Sequence, residues 1–381
     1  MAKRIKIWVG RIRFWAGLLL AQFVLFFILS KIPSAVRLFE QFFELKKDLH
    51  TLIFSRPAFS AGDVFYIVFV LVLGQLSVLL FQRNNRKKTL KNLFIILNAV
   101  YFNYLLFWVL LYFHPPLIEK FESKEPTLIE AKQLATLLLQ KCQNSRLQVG
   151  EDERGVFTII NFETVKQDIL LNQRQIPVEI STKKAVLQNS IKPSLFTAVM
   201  SYTGISGYYN PFSSEAQYNP NLPTSHIPAT IAHESAHQMG FAREQEASFI
   251  GYFIGKNSEN ADVRYSTEFF ALKSLLRFIN QQDSLFVDQT IASFSEGMKR
   301  DFEYEKEFAA AHDGLLDVFF AFTNDLFLKS NQQEGSITYS YFVDLLIQYE
   351  KAQKKNRVSQ RDSKNTNDEK KYSSIQRLAR P

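Results

Sequence analysis

Residues 231–248 read IAHESAHQMGFAREQEAS and contain the pattern His-Glu-x-x-His. Residues four apart lie on one face of an α-helix, so His233 and His237 would project side by side. Two imidazoles at that separation can bind one Zn²⁺, and Glu234 lies beside them, where it can act on the metal's water. The stretch therefore predicts a helix that carries a zinc site, as in metallohydrolases and most simply in a peptidase.

The alternative interpretation of this stretch is a surface helix with two unrelated histidines. By composition, the pattern is expected in roughly one chain of this length in a hundred. The chain has six histidines, and two of them lie in this pattern. The other residues are mostly small or apolar, which indicates a buried helix, and a buried His-Glu-His group without partners would be unfavourable. A bound metal removes that cost. The apolar residues are Ala229, Ile231, Ala232, Ala236 and Met239.

A catalytic zinc site needs a third protein ligand, with a fourth position left for water. Gly240 can adopt a left-handed conformation that ends the helix and turns the chain. Glu244 follows four residues later and would then be able to return to the metal, and Glu246 is the alternative ligand. Residues two apart on a helix face different directions, so one glutamate at most should point at the metal.

His233, Glu234 and His237, followed by Glu244 and Ser248, resemble the arrangement of the gluzincins. In that group a glutamate on a second helix is the third ligand, and an Asp or Asn four residues later orients one histidine. The resemblance implies Glu244 as the ligand and Ser248 as the orienting residue, although serine is shorter and uncharged. The glycine turn is similar to that of metzincins, but their third ligand would fall on Arg243, which cannot bind a metal.

A wider part of the chain resembles an uncharacterised family of bacterial membrane proteins with a few N-terminal spans and a zincin-type domain. The resemblance covers most of the chain and implies a zincin fold, but no substrate. The residues that carry it are Lys192-Pro193-Ser194, Gly207-Tyr208-Tyr209, Pro211-Phe212, Glu215-Ala216, the His-Glu-x-x-His helix and Glu244-x-Glu246-Ala247.

The net charge of +8 is confined to three segments of the chain. Residues 1–13, 83–92 and 351–381 hold 20 of the 45 basic residues and 3 of the 37 acidic ones. The rest of the chain carries 25 basic and 34 acidic residues, a net charge of −9. This distribution argues against a nucleic-acid partner. The single cysteine, Cys142, excludes an intramolecular disulfide.

Three uncharged, apolar segments lie at about 14–30, 64–82 and 93–113. Each is long enough to cross a lipid bilayer as a helix. A cleaved signal peptide is the alternative for the first segment, and a pair of buried core helices is the alternative for the other two. Their length favours transmembrane helices, so residues 1–114 are predicted to anchor the chain in a membrane.

The positive charge near these segments predicts their orientation. Five basic residues lie within residues 1–13 and five within 83–92, whereas the 31–63 loop is mixed in charge. Cytoplasmic loops carry an excess of Lys and Arg. The N-terminus should therefore be cytoplasmic and everything after residue 114 extracytoplasmic. Together with the resemblance, this predicts the inner (cytoplasmic) membrane of a bacterium, with the catalytic domain in the periplasm or its equivalent.

The predicted fold is mainly α (α+β), with three transmembrane helices followed by a zincin-like, mostly helical domain at 115–353. A small edge strand or sheet is expected at residues 207–212, which are aromatic and interrupted by Pro211. Residues 354–381 are predicted to be a disordered basic tail. The site helix should begin near Pro228. Other helical patterns lie at 127–143, 161–173, 192–202, 244–255, 267–280, 285–296, 301–330 and 339–353.

The predicted function is that of a membrane-anchored zinc metallopeptidase that cleaves an extracytoplasmic peptide or envelope protein. Glu234 would take a proton from the metal's water and pass it to the leaving amine. The alternative is a zincin-derived sensor or envelope assembly factor that binds zinc without turnover, although such a protein needs no general base. A metal-free scaffold and an intramembrane protease are further alternatives. We expect the motif to lie far from the spans, which disfavours the latter.

The sequence predicts only a few contacts with the substrate. The edge strand would pair with an extended peptide, and Tyr209 and Glu215 are the candidate substrate-binding residues, although Glu215 would serve equally as a structural cap. The residue that stabilises the oxyanion stays open among Arg243, Tyr208, Tyr339 and Tyr341, and His312 is a weaker candidate.

Overall fold

The computed structural model describes residues 12–121, 125–314 and 341–355, and every structural statement below concerns these residues. The described chain is mainly helical with little strand, which confirms the predicted fold class at that level. Tyr339 and nearly all of the predicted tail lie outside the described residues.

Three long apolar helices have the length and composition to cross a membrane. They are α1 (Ile12–Ser30), α3 (Ala61–Phe81) and α4 (Arg86–Phe107). The first two match the predicted segments closely. The third is displaced toward the N-terminus, because the helix begins inside the predicted basic loop. It ends at Phe107, and a 3₁₀ turn (Val109–Phe113) follows it where the sequence predicted continuous helix.

A further helix, α2 (Pro33–Phe54), lies between the first two membrane helices. The sequence predicted residues 31–63 only as a connection of mixed charge between two spans and did not predict this helix. Pro33 starts the helix at a position where its missing N–H and fixed φ are tolerated. Charged residues interrupt every apolar run in α2, so it gives no signal of a membrane span.

The membrane helices have a defined direction relative to one another. Gln22 of α1 donates to the Asn98 side chain of α4 at 3.0 Å. Four residues further along both helices, Phe26 packs on Phe102 with ring centroids 6.0 Å apart, so α1 and α4 are parallel. Because the short connection 82–85 joins α3 to α4, those two are antiparallel. The ends of α1 and α4 and the start of α3 therefore lie on the same side of the membrane.

The rest of the described chain forms a helical domain with two small sheets. The sequence predicted helix over 192–202, but the structure has a strand first and a helix only from Thr197, since the strand pairs with a distant segment. The helices are α5 (Leu128–Arg146), α6 (Phe162–Asn172), α7 (Thr197–Tyr202), α8 (Ile227–Gln238), α9 (Glu244–Lys256), α10 (Ala261–Asn280), α11 (Ser284–Ala292) and α12 (Glu296–His312), and α13 covers residues 341–355.

The larger sheet has three strands in the order β3-β5-β4. Strand β3 (Ile191–Pro193) is parallel to β5 (Glu215–Tyr218), and β4 (Gly207–Asn210) is antiparallel to β5. Strand β4 is therefore an edge strand of this sheet, as the sequence predicts for residues 207–212. Strands β1 (Gly150–Glu151) and β2 (Phe157–Thr158) form a separate antiparallel pair.

Helix α8 lies in the centre of the domain, in contact with α9, α10 and strands β4 and β5. Ile231, Ala232, Ala236 and Met239 are fully buried. The apolar residues that predicted a buried helix therefore form its packing surface. Because this helix is enclosed by helices and a sheet, its polar residues must be satisfied inside the domain.

The membrane helices are docked directly on this domain. At the start of α3, the N–H groups of Gly62 and Ala61 donate to the Glu215 carboxylate at 2.6 and 3.0 Å. The Asp63 carboxylate accepts from the backbone of Leu195 at 2.6 Å. These bonds join the helix to the strand β5 and to the loop before α7, so the anchor and the domain share one interface.

Candidate metal centre

Helix α8 ends in a turn that the sequence predicts at Gly240. The Phe241 N–H donates to the Ala236 carbonyl at 3.2 Å, and the Gly240 N–H donates to the His237 carbonyl at 2.9 Å. These two bonds form a Schellman motif, which needs a left-handed residue, and Gly240 has φ of +98°. The turn reverses the chain within a few residues, so that α9 begins beside the helix that has just ended.

Helix α9 crosses α8 closely enough to bring Glu244 to both histidines. A Cβ on Gly251 would lie 2.9 Å from the backbone nitrogen of His233, so only a glycine permits this approach. Glu244 Oε2 lies 3.2 Å from His233 Nε2, and Oε1 lies 3.6 Å from His237 Nε2. Each carboxylate oxygen therefore faces one imidazole.

The other nitrogen of each imidazole is held by a separate group. His237 Nδ1 lies 2.6 Å from the Phe241 carbonyl oxygen, and His233 Nδ1 lies 3.1 Å from Ser248 Oγ. A carbonyl oxygen accepts hydrogen bonds only, so His237 carries a proton on Nδ1. Its Nε2 is then the atom with a lone pair when the ring is neutral, which is the form that binds a metal.

Glu234 lies on the same helix, with its side chain 5% exposed. The candidate ligand atoms of His233, Glu234 and His237 lie within 4.8 Å of one another. Glu234 Oε2 is buried and has no hydrogen-bond partner among the described residues. Burial raises the pKa of Glu234 to about 7. A buried carboxylate oxygen of this kind needs water, a substrate group or a cation to satisfy it.

Glu244 and the two imidazoles stabilise one another's charged forms. Burial works against the ionised form of Glu244, but the two imidazoles outweigh it and hold the pKa of that carboxylate well below its usual range. Burial also opposes protonation of His237, whereas Glu244 and Glu234 favour it and raise the pKa of His237 to about 9. A positive charge is thus favoured at the point where these groups meet.

The donor set fits a zinc ion. Two imidazole nitrogens and one carboxylate oxygen are the ligands of several catalytic zinc sites. Two ligand atoms that each lie about 2.1 Å from a metal at a tetrahedral angle are about 3.4 Å apart. Each carboxylate oxygen of Glu244 lies near that distance from one imidazole, with Oε2 3.2 Å from His233 Nε2 and Oε1 3.6 Å from His237 Nε2. His233, His237 and Glu244 are called the metal-centre residues below.

The side chain of Glu246 does not face the imidazoles but contacts Leu117 and Arg243, although Glu246 is only two residues from Glu244. Its Oε1 accepts from the Leu117 N–H at 2.7 Å and lies 3.5 Å from Arg243 Nη1. Arg243 in turn donates to the Tyr112 carbonyl at 3.0 Å. Glu246 and Arg243 thus bind the segment that follows α4 to the domain, and of the two glutamates Glu244 is the one at the imidazoles.

The metal-centre residues line a cavity of about 1320 Å³. Glu234 and Ser248 lie on its wall, as do Gly207, Tyr208 and Tyr209 of strand β4. The edge strand therefore runs along the same cavity as the candidate metal site. Ligand sites are usually cavities with a few convergent polar groups, and this cavity has such groups at the metal-centre residues.

Trp108 and Tyr112, which follow the third membrane helix, also line this cavity. The Trp108 ring packs edge-on against His237, with centroids 5.8 Å apart. The prediction that the motif lies far from the spans is therefore wrong. Nothing in the sequence signals this contact, because Trp108 is separated from His237 by more than a hundred residues and is one of many aromatic residues near the spans.

The predicted substrate residues have different surroundings. Tyr209 lines the cavity, donates to Ser214 Oγ at 3.1 Å and packs on Trp108 with ring centroids 4.6 Å apart. Glu215 is fully buried and accepts from the first residues of α3, with Lys192 Nζ at 3.2 Å. Of the two roles that the sequence left open for Glu215, the geometry is that of a structural cap.

Of the described oxyanion candidates, Tyr208 lines the cavity. Its hydroxyl donates to Asp63, and burial raises its pKa above the usual range. Arg243 and Tyr341 are not among the cavity-lining residues. His312 lies against Phe308 and Tyr202, and its Nδ1 donates to the Phe308 carbonyl at 2.8 Å.

A second polar cluster lines another part of the cavity, and sequence reasoning did not find it. Lys273 Nζ lies 2.6 Å from both carboxylate oxygens of Glu305 and 3.0 Å from His226 Nε2. Ser225 donates to Glu305 at 2.6 Å. These four residues are called the lysine cluster below. They are too far apart in the sequence to form a recognisable pattern.

The model of one protein family matches residues 39–347, which is most of the chain. Its description is "Protein of unknown function (DUF3810)". The chain belongs to the DUF3810 family. No match was found among curated proteins or among solved structures. The matched part of this DUF3810 chain begins inside α2 and contains α3, α4 and the metal-centre residues, so the family unit combines membrane helices with the candidate site.

Proposed function

We propose that this DUF3810 protein is a membrane-anchored, zinc-dependent peptidase. The observation that carries the proposal is the meeting of His233, His237 and Glu244 beside the unpartnered, buried oxygen of Glu234. A structural zinc site has four protein ligands, whereas three ligands and a nearby carboxylate are typical of a hydrolytic site. The cavity beside them gives a substrate room to approach.

His233 and His237 would hold the zinc ion through Nε2, and Glu244 would hold it through its carboxylate. Zinc when bound supplies Lewis acidity and lowers the pKa of water toward neutrality. Phe241 and Ser248 fix the orientation of the two imidazoles. This second set of contacts keeps both Nε2 atoms directed at one point, which is what metal affinity depends on.

Glu234 is the proposed general base and acid. Its Oε2 would accept a proton from the attacking water and then return that proton to the leaving amine. The low exposure of the side chain supports this role, since a carboxylate that is poorly solvated holds a proton more readily. The raised pKa, to about 7, has the same cause.

The proposed substrate is a polypeptide in extended conformation. Strand β4 is at the edge of its sheet and lines the cavity beside Glu234, so its free backbone groups are placed to pair with a peptide. A Cβ on Gly207 would lie 2.8 Å from the Glu234 side chain, which shows how closely this strand approaches the general base. Tyr208 and Tyr209 would flank the bound peptide.

The proposed location is the cytoplasmic membrane of a bacterium, with the domain on the extracytoplasmic side. The domain docks at the start of α3 and at the end of α4. The dense basic residues around 83–91 lie at the opposite ends of these helices. Since positive charge is retained on the cytoplasmic side, the domain would face outward. The lipid bilayer and a peptide or envelope protein are the proposed partners.

The test uses the full chain in detergent or lipid nanodiscs, with metal content measured and a quenched peptide library as substrate. Glu234→Gln should keep one zinc ion per chain and lower hydrolysis by roughly 10²–10⁴-fold. Glu244→Gln should lose zinc, and Glu246→Gln should retain it. Zinc without any hydrolysis in the unaltered chain would favour a non-catalytic sensor or assembly factor. Zinc that is lost from Glu246→Gln but kept in Glu244→Gln would refute the ligand assignment.

A further inference from the structure

Helix α2 (Pro33–Phe54) has an exposed apolar face. Its outward apolar residues recur at alternating intervals of four and three residues, which places them on one side of the helix. They are 37–73% exposed. A contiguous apolar face of this length is unusual on the water-exposed surface of a protein. The residues of this face, called the apolar face below, are Leu38, Phe42, Leu45, Leu49, Leu52 and Ile53.

The opposite face of α2 is turned into the protein and carries buried polar side chains beside Val36 and Phe43. Lys47 is fully buried and donates to the Lys184 carbonyl at 2.8 Å. Lys46 is 4% exposed and donates to the Pro211 carbonyl at 2.7 Å. Glu40 pairs with Lys183 at 2.7 Å. The helix is therefore inverted relative to a helix on a soluble protein, since its polar side contacts the domain and its apolar side faces away.

The connections of α2 place both of its ends at one membrane surface. Helix α1 ends, and α3 begins, on the side where the domain lies, and α2 joins these two points. A helix of 22 residues is about 33 Å long and would be able to cross a bilayer. Crossing would leave residues 55–60 to return across the hydrocarbon, and six residues span at most about 20 Å against about 30 Å. The helix must therefore lie along the surface.

We propose that α2 is an interfacial helix whose apolar face is immersed in the outer leaflet of the lipid bilayer beneath the domain. The apolar face continues the lipid-facing surface of the neighbouring membrane helices, as Phe42 stacks on Phe107 at the end of α4. Aromatic residues at the ends of membrane helices lie at the headgroup level. An amphipathic helix at that depth places its apolar side among the acyl chains and its polar side above them.

This arrangement places the candidate metal site close to the membrane surface. Phe43, on the domain side of α2, packs on Trp108 with ring centroids 6.1 Å apart, and Trp108 packs on His237. A Cβ on Gly240 would lie 2.9 Å from the Phe43 ring. Given the proposed peptidase function, the inferred substrate class is a polypeptide segment next to the membrane, in a chain that is itself held in the bilayer.

Site-directed spin labelling of the full chain in liposomes tests the position of α2. In a Cys142→Ala background, single cysteines replace Leu38, Leu45, Leu49 and Ile53, and collisions with oxygen and with a water-soluble nickel complex give the depth of each label. Val70 in α3 is the lipid reference and Glu153 the water reference, since both are exposed. All four positions should show high oxygen and low nickel access at one common depth.

Other outcomes would overturn the proposal. A depth that changes steadily by about 16 Å between positions 38 and 49 would mean a crossing helix. High nickel access at all four positions would mean that the face is in water. Low access to both reagents would mean that a second copy of the chain or another protein covers it. None of these readings depends on whether the protein is a peptidase.

A pair of substitutions separates the lipid contact from catalysis. Leu45→Glu with Leu49→Glu places charge on the apolar face, and neither side chain touches the metal-centre residues. In liposomes, this variant should lose most of its cleavage of a membrane-tethered peptide while cleaving the same peptide at an unchanged rate when it is free in solution. Equal rates on both substrates would refute the inferred substrate class. No cleavage of either peptide by the unaltered chain would refute the peptidase proposal and leave the labelling result intact.

Discussion

The metal-centre residues and the lysine cluster line the same cavity, and both contain histidine and glutamate, but they differ in the source of positive charge. In the lysine cluster, Lys273 lies between a buried glutamate and His226, so the protein supplies its own cation. In the metal centre, the groups that stabilise the charge of Glu244 are two imidazoles. The first arrangement is complete as it stands, whereas the second directs two imidazole nitrogens at one point. A histidine and a glutamate in contact therefore do not by themselves indicate a metal site, because in the lysine cluster Lys273 already supplies the positive charge.

The largest expected difference between the two clusters is in metal content. His237→Ala should reduce bound zinc from about one ion per chain to nearly none, because it removes a ligand. His226→Ala should leave zinc in place, since Lys273 already occupies the Nε2 atom of that ring. Elemental analysis of the purified chain measures both. Equal loss of zinc in the two variants would mean that the clusters do not differ in this way.

The next expected effect is on stability. Glu305→Gln should lower the free energy of unfolding by roughly 3–5 kcal/mol, because Lys273 would keep its charge in a largely buried place without its partner. Its side chain is 17% exposed and that of Glu305 is 8% exposed. Zinc content should be unchanged. Chemical denaturation of the full chain in detergent gives the change in stability.

Glu303→Gln is the matched control for that experiment. Glu303 lies on the same helix and pairs with Lys306, but its side chain is 64% exposed. Exposed pairs contribute about 0–1 kcal/mol, so this variant should be nearly as stable as the unaltered chain. Similar losses in the two variants would show that the buried lysine does not need its partner.

The low pKa of Glu305 predicts how the stability of the protein depends on pH. Burial would raise the pKa of Glu305, but Lys273 and His226 outweigh burial and lower it from 4.5 to about 2. The ionised carboxylate therefore stabilises the folded state fully above pH 4.5, and this contribution is lost as the pH falls toward 2. The loss is on the order of 3 kcal/mol. Acid titration of the unfolding midpoint should show this dependence, and Glu305→Gln should flatten it.

A smaller effect is expected at the contact that orients His233. Ser248→Ala should weaken zinc affinity by roughly 10–100-fold, which is typical when a group that orients a ligand is removed. Competition with a chelator measures the affinity. Ser274, on the far side of the cavity, already donates to the Phe270 carbonyl at 2.9 Å. Ser274→Ala is therefore the control and should not change the affinity.

Several features of this protein were determined by local sequence alone. The helix that carries His233 and His237, the left-handed turn at Gly240 and the three apolar membrane helices all follow from the spacing of neighbouring residues. Such features depend on interactions within a few turns of one segment. The spacing of potential ligand types also limited the candidates for a third ligand to two glutamates.

The choice between those glutamates was decided by tertiary structure. Glu244 and Glu246 lie on the same helix, and the close crossing at Gly251 determines which one meets the imidazoles. Glu215 became a cap because the start of α3, from a distant part of the chain, meets it. Trp108 reached His237 for the same reason. Contacts of this kind depend on how separate elements pack, and residue spacing does not contain that information.

Helix α2 shows both what the local sequence determines and what only the tertiary structure decides. Its apolar residues recur at helical spacing, so the sequence contained the helix, but the charges between them concealed it. Which side faces the domain was decided only when Lys46 and Lys47 found backbone carbonyls inside the protein. A buried lysine needs such partners, and they come from segments more than a hundred residues away. The sequence therefore determined an amphipathic helix, and the tertiary structure decided that its apolar side faces outward.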